Sequence, residues 1–163
     1  MRAAVVTVSD SVFGGRRRDG SGPAVADLLQ KHGWTVAETR VVADDLAVIA
    51  ATLREFTSQG VEAVFTTGGT GVSPRDVTPE ATRKIITREI PGLAEQMRRE
   101  GSQNTPTAIL SRAVVGVCGQ SIIVNLPGSP QGAVDSLRAI LDVLPHAVQL
   151  IAGKEAHQDS APP

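Results

Sequence analysis

Three glycines and three threonines fall within six residues, Thr66-Thr67-Gly68-Gly69-Thr70-Gly71. Such a run suits an anion cradle. Glycines let backbone N–H groups converge on a phosphate without Cβ obstruction. Thr67 and Thr70 could add hydroxyl donors. A tight turn at a strand end is the simpler reading, but it needs fewer glycines. The run is not a P-loop, because no Lys-Ser or Lys-Thr follows, and it lacks the third glycine of a dinucleotide fingerprint.

Pro74-Arg75-Asp76-Val77-Thr78-Pro79-Glu80 comes next. Arg75 could pair with phosphate. Asp76 could hold Mg²⁺ jointly with phosphate oxygens, or complement the start of a helix. A second loop, Asn125-Leu126-Pro127-Gly128-Ser129-Pro130, precedes a helical stretch. Its backbone N–H groups could also meet phosphate, or Ser129 could simply cap the helix. Ser9-Asp10 and Asp44-Asp45 supply further polar groups after apolar runs. Arg16-Arg17-Arg18 is either a solvated face or a lid that meets triphosphate. Cys118 reads as a small core residue. His32, His146 and His157 have no metal-site spacing and read as surface or boundary residues.

These groups need elements to hold them. Ala3 to Val8 is a nearly continuous apolar run, as expected of a strand buried on both faces. Trp34–Val42 and Val61–Phe65 read as further strands. Ala113–Cys118 and Ser121–Asn125 read as a hairpin around Gly119-Gln120. Helices are expected from Pro23 to His32, from Leu46 to Ser58, from Pro79 with Thr78 as its cap, and from Pro91 to about Glu100. Another runs from Gln131 to Leu144, with Pro145 dividing it from a last helix ending near Ile151. Strands alternating with helices predict a mostly parallel sheet covered on both faces, with one antiparallel strand from the hairpin. In such sheets ligands bind beyond the carboxyl ends of the strands. Ser9, Asp10, Asp44, the Thr66–Gly71 run and the Asn125–Pro130 loop all fall there.

Composition narrows the function. The chain has 163 residues, 41% of them hydrophobic, and a net charge of -1. This fits one domain, residues 1–153, followed by a polar tail at 154–163 that is expected to be flexible. No bulk basic field draws in nucleic acid. Three Phe, one Trp and no Tyr leave little on which to stack single-stranded bases. A lone cysteine precludes an intrachain disulfide. No segment reads as membrane-spanning or as a signal peptide, so a cytoplasmic location is expected.

Residues Thr66 to Thr82 also resemble the signature of the molybdopterin adenylyltransferase family, which includes the Mog and MoaB proteins. Four shorter pieces agree in order: Val8–Ser11, Asp19–Pro23, Pro106–Arg112 and Asn125–Pro130. The resemblance implies a three-layer α/β/α sandwich, usually a homotrimer. It implies Mg²⁺-dependent transfer of AMP from ATP to the terminal phosphate of molybdopterin, with release of pyrophosphate and hand-over to a metal-insertion enzyme. The family's two critical aspartates fall on Asp44 and Asp76, which would be catalytic and would hold the metal. Ala43 stands where the family usually has proline, which leaves Asp45 open as an alternative to Asp44. By the same resemblance Thr67, Gly68, Gly69, Thr70 and Gly71 form a phosphate loop. Pro127, Gly128 and Ser129 contact the pterin phosphate, and Ser111 and Arg112 belong to a further family segment. A non-catalytic pterin-binding protein and a phosphoester hydrolase on the same domain are the competing expectations.

Overall fold

The computed structural model describes residues 1–153, so the 154–163 tail, with His157, lies outside the described residues. Six strands form one sheet in the order β2-β1-β3-β6-β5-β4. They are β1 (Arg2–Val8), β2 (Thr35–Val42), β3 (Ala63–Thr67), β4 (Arg88–Glu89), β5 (Val115–Cys118) and β6 (Ser121–Leu126). β1, β2, β3 and β6 run parallel, whereas β5 pairs antiparallel with both β4 and β6. The helices are α1 (Asp10–Phe13), α2 (Ser21–Lys31), α3 (Leu46–Ser58), α4 (Thr78–Arg83), α5 (Pro91–Asn104), α6 (Pro130–Arg138) and α7 (Leu144–Ile151). A short 3₁₀ turn covers Pro106–Leu110.

The apolar strands of the sheet centre are explained by burial on both faces. On β1, Ala3 and Val5 pack with Val25 and Leu29 of α2 and Leu137 of α6. The alternate residues Ala4, Val6 and Val8 pack with Ile49, Leu53 and Phe56 of α3 and Ala81 of α4. β6 divides in the same way, with Ile122 and Val124 on the first side and Ile123 on the second. The result is the three-layer α/β/α arrangement expected from the sequence.

Several boundaries differ from expectation. α2 begins at Ser21, two residues before Pro23, because Asp19 accepts hydrogen bonds from the N–H groups of Ser21 and Gly22 at 3.1 Å. Thr78 is not the cap of α4 but its first residue, and its hydroxyl donates to the Gly68 carbonyl at 2.9 Å. The helix expected to reach Leu144 stops at Arg138. Ile140 N–H bonds Leu137 O and Val143 N–H bonds Ile140 O, so the chain tightens into turns there. Ile140, Leu141 and Leu144 are nevertheless buried, so the helix-like spacing persists through the break. β4, only two residues long, and the four-residue α1 carry too little pattern to be foreseen.

β1 lies between β2 and β3, so the chain leaves it first to one side and later to the other. This is the switch point of an open α/β sheet, where a crevice forms beyond the strand ends. Thr7 and Thr67 are register partners, as are Thr67 and Leu126. The loops following β1, β3 and β6 therefore leave the sheet side by side.

Candidate active site

The glycine run follows β3 directly. Gly68 has φ 101°, and its backbone lies so close to Val8 O that a Cβ would collide with it. A Cβ on Gly128 would stand 3.2 Å from Gly68 Cα, so the β3 and β6 loops pass almost in backbone contact. Gly69 has φ 64°, and a Cβ there would meet the Thr78 hydroxyl and approach Asp44 Oδ1 to 3.3 Å. Only glycine fits this wall. The Gly68 N–H is already used, donating to Leu126 O at 3.1 Å. Those of Gly69, Thr70 and Gly71 donate to no acceptor among the described residues, which leaves donors for an anion.

Thr67 behaves differently from its neighbours. Its side chain is buried, and its hydroxyl is shared with Ser21 Oγ at 2.7 Å. It braces the loop from behind instead of facing the cleft, because the strand alternation turns it toward α2.

Asp10 and Asp44 are locked together. Asp10 N–H donates to Asp44 Oδ2 at 2.8 Å, and Asp44 N–H donates to Asp10 Oδ1 at 3.0 Å. The second oxygen of Asp10 pairs with Arg75. Asp45 instead caps α3, accepting from Val48 N–H at 2.9 Å. Of the two adjacent carboxylates, Asp44 therefore faces the cleft. Its pKa is raised, first by burial and then by the nearby charges of Asp10 and Asp76, against the lowering hydrogen bond from Asp10 N–H. The Asp10 pKa is lowered, chiefly by the hydrogen bond from Asp44 N–H and then by Arg75. Asp76 does not cap α4, since its Oδ2 accepts from Ser73 N–H at 2.8 Å within its own loop.

Three adjoining hollows occupy this end of the sheet. The first, of about 610 Å³, is bordered by Ser9, Arg17, Arg18, Asp44, Gly68 and Gly128 among others. The second, of about 430 Å³, extends between the glycine run and α6, with Thr70, Gly71, Ser111, Pro127, Gly128 and Ser129 in its wall. The third, of about 700 Å³, is the most open and is bordered by Asp10, Phe13, Arg16, Asp44 and Arg75. Asp76 borders all three, and Gly69 borders the first two. Every site residue expected from the sequence except Thr67 thus lines one continuous cleft. Ser129 has a double position: it borders the cleft while its Oγ caps α6 through Gly132 N–H at 3.2 Å.

Arg112 has a larger part than its residue type announced. Its Nε donates to Gly71 O and its Nη2 to Asp76 O, each at 2.6 Å, while Nη1 pairs with Glu80. Its own N–H donates to Thr70 O at 2.8 Å. One guanidinium thereby ties the glycine run, the Asp76 loop and α4 together. Its place in the Pro106–Arg112 segment was the available signal. Arg16-Arg17-Arg18 was also legible only as a pair of alternatives. Arg17 and Arg18 border the first hollow and Arg16 the third.

Among the described residues no group of three or more His, Cys, Asp or Glu side chains forms a preformed metal cage. Mg²⁺ does not require one, since it usually takes one or two carboxylates and completes its shell with phosphate and water. Asp44 and Asp76 fit that role. Besides burial, the charge of Asp76 helps to raise the Asp44 pKa, an unfavourable arrangement that a cation would relieve.

The fold and this cleft define a class: an α/β protein with a glycine-walled, carboxylate-bearing cleft at the sheet's switch point. The chain belongs to the family described as the probable molybdopterin binding domain of molybdenum cofactor biosynthesis, whose model matches residues 4–146. It is 38% identical to the molybdopterin adenylyltransferase of Helicobacter pylori J99, over 91% of this chain and 86% of that protein. It is 36% identical to the molybdenum cofactor biosynthesis bifunctional protein of Chlorobaculum tepidum, over 93% of this chain but only 49% of that protein. The chain therefore spans about half the length of that relative. Among solved structures, the molybdopterin biosynthesis enzyme MoaB of Thermus thermophilus superimposes with a TM-score of 0.89. It is 48% identical, with 94% of this chain and 97% of that one covered.

Proposed function

We propose that this protein is a molybdopterin adenylyltransferase, moving AMP from ATP to the terminal phosphate of molybdopterin with release of pyrophosphate. The observation that carries this reading is the shared wall. Gly69 and Asp76 border two adjoining hollows, so two phosphorylated ligands could lie on either side of one loop. Adenylyl transfer needs that arrangement and no protein nucleophile, because a substrate phosphate oxygen attacks the α-phosphorus directly. Magnesium held at Asp44 and Asp76 would offset the repulsion between the two anions and ease departure of pyrophosphate.

The chain's own groups have distinct tasks in this reading. The N–H groups of Gly69, Thr70 and Gly71 orient a phosphate. Arg17, Arg18 and Arg75 supply positive charge around the leaving pyrophosphate. Ser111, Pro127, Gly128 and Ser129 border the hollow available to the pterin phosphate. Asp10 holds Asp44 in register through their reciprocal hydrogen bonds, and Ser9 caps α1, its Oγ accepting from Val12 N–H at 3.4 Å. Exposed Val72, Ile109 and Leu110, adjacent in sequence to Gly71 and Ser111, offer apolar surface for the homotrimer that belongs to the same proposal. So do a cytoplasmic location and hand-over of the product to a metal-insertion enzyme. No helix among the described residues is long and apolar enough to cross a membrane.

The test is direct. Molybdopterin, ATP and Mg²⁺ are incubated with the protein, and adenylylated molybdopterin and pyrophosphate are measured. Stoichiometric formation of both supports the proposal. Pterin binding without ATP turnover selects a non-catalytic binding protein, and inorganic phosphate released from nucleotide alone selects a hydrolase.

A further inference from the structure

Of the four aromatic residues, Trp34, Phe56 and Phe65 are buried, whereas Phe13 is 63% exposed. Phe13 is not on a loose loop. It ends α1, where Ser9 O accepts its N–H at 2.9 Å and Asp10 O accepts the following N–H of Gly14 at 2.9 Å. α1 is itself fastened by the reciprocal hydrogen bonds between Asp10 and Asp44. The ring therefore projects from a fixed turn. It borders the open groove of about 700 Å³ whose other walls carry Arg16, Arg75, Asp44 and Asp76.

Resting on the adenylyltransferase reading, we propose that Phe13 is the platform on which the purine ring of the nucleotide stacks, in the open groove beside Arg16 and Arg75. An aromatic face held beside two guanidinium groups and three carboxylates, of which Asp10 is already paired with Arg75, matches the parts of a magnesium–nucleotide: a planar base, anionic phosphates and a cation. A free phosphate or pyrophosphate would use the charged groups and ignore the ring. Phe13 is the only aromatic side chain bordering any of the three hollows among the described residues, so no other aromatic ring there can take its place. Base–aromatic stacking tolerates different bases, because each has a π-face. Phe13 accordingly sets affinity for the base, and discrimination between purines comes from elsewhere.

The test separates base from phosphate. Affinities for ADP and for inorganic pyrophosphate, each with Mg²⁺, are measured by calorimetry on the wild type, Phe13→Ala and Phe13→Leu. Phe13→Ala should weaken ADP roughly tenfold and leave pyrophosphate unchanged. Phe13→Leu, which keeps apolar area without a π-face, should lose part of that. Adenine protons of bound ADP should show an upfield ring-current shift with the wild type that vanishes with Phe13→Leu. Unchanged ADP affinity in Phe13→Ala, or equal weakening of ADP and pyrophosphate, overturns the assignment while leaving the function intact. A wild type that binds neither ligand overturns the adenylyltransferase reading and the Phe13 assignment with it.

Discussion

Asp44 has the clearest conflict between stability and chemistry. Its carboxylate is partly buried beside two like charges, and its pKa is raised from the ordinary value of 3.8. Folding therefore penalises the charged form relative to the unfolded chain. Asp44 adds stability as pH falls through its folded pKa and subtracts it above. Asp10, with its lowered pKa, does the reverse, and its contribution is lost on acidification. Asp44→Asn keeps an acceptor for Asp10 N–H but removes the charge. We expect it to raise Tm in the absence of Mg²⁺, by differential scanning calorimetry near pH 7, while cutting adenylyl transfer about a hundredfold or more. Asp76→Asn should leave Tm nearly unchanged and largely abolish turnover. Activity near that of the wild type would return Asp76 to a structural role. Cys118, half-buried and 3.7 Å from the Thr57 hydroxyl, is remote from this chemistry, so Cys118→Ser should turn over normally.

At the level of elements, two buried supports hold the loops. Asn125, fully buried, accepts from Val114 N–H at 3.2 Å and donates to the hydroxyls of Thr66 at 3.0 Å and Thr82 at 2.9 Å. It joins β3, β6 and α4 beneath the glycine run. Asn125→Ala leaves several buried polar groups unpaired, and urea unfolding should register a loss of about 2–4 kcal/mol. Arg112 is the second support. Arg112→Lys keeps the charge but cannot bond Gly71 O, Asp76 O and Glu80 together. We expect kcat to fall about tenfold or more, with little change in far-UV circular dichroism. Equal kinetics in Arg112→Lys would mean that the loop holds its shape without the guanidinium. These supports also mark where sequence reading stops. The glycine run and the Asp44-Asp45 pair could be found because their residue types announce chemistry at strand ends, whereas the choice of Asp44 with Asp76 rested on the family resemblance. Arg112 and Asn125 act through partners more than 30 residues away, and neither local spacing nor periodicity carries that information. The break after Arg138 was hidden for a related reason, since burial continued in helical rhythm while the backbone did not.

The whole molecule combines a two-faced apolar core with an acidic and basic cleft at one end of its sheet. The sheet class was legible because β1, β3 and β6 are apolar on both faces. The strand order was not, since it depends on long-range pairing. Ligand linkage gives the test at this scale. Magnesium–nucleotide at about a hundred times its Kd should stabilise the fold by roughly 2.7 kcal/mol. That gain should decline on acidification, because burial first and then neighbouring charge raise the Asp44 pKa, so its protonation competes with the metal at a higher pH than that of a free aspartate would. A flat response between about pH 7 and pH 4 would remove Asp44 from the metal site.

Gly68 and Gly128 nearly touch, so the loops after β3 and β6 are not independent parts. A side chain at Gly128 would press on the Gly68 backbone, and one at Gly68 would drive its loop off Val8 O at the end of β1. Such a change could not retune one ligand's pocket and spare the other. Over generations the two loops would have to be inherited as a matched pair, and one borrowed from a distant relative would fit only in the company of its original neighbour.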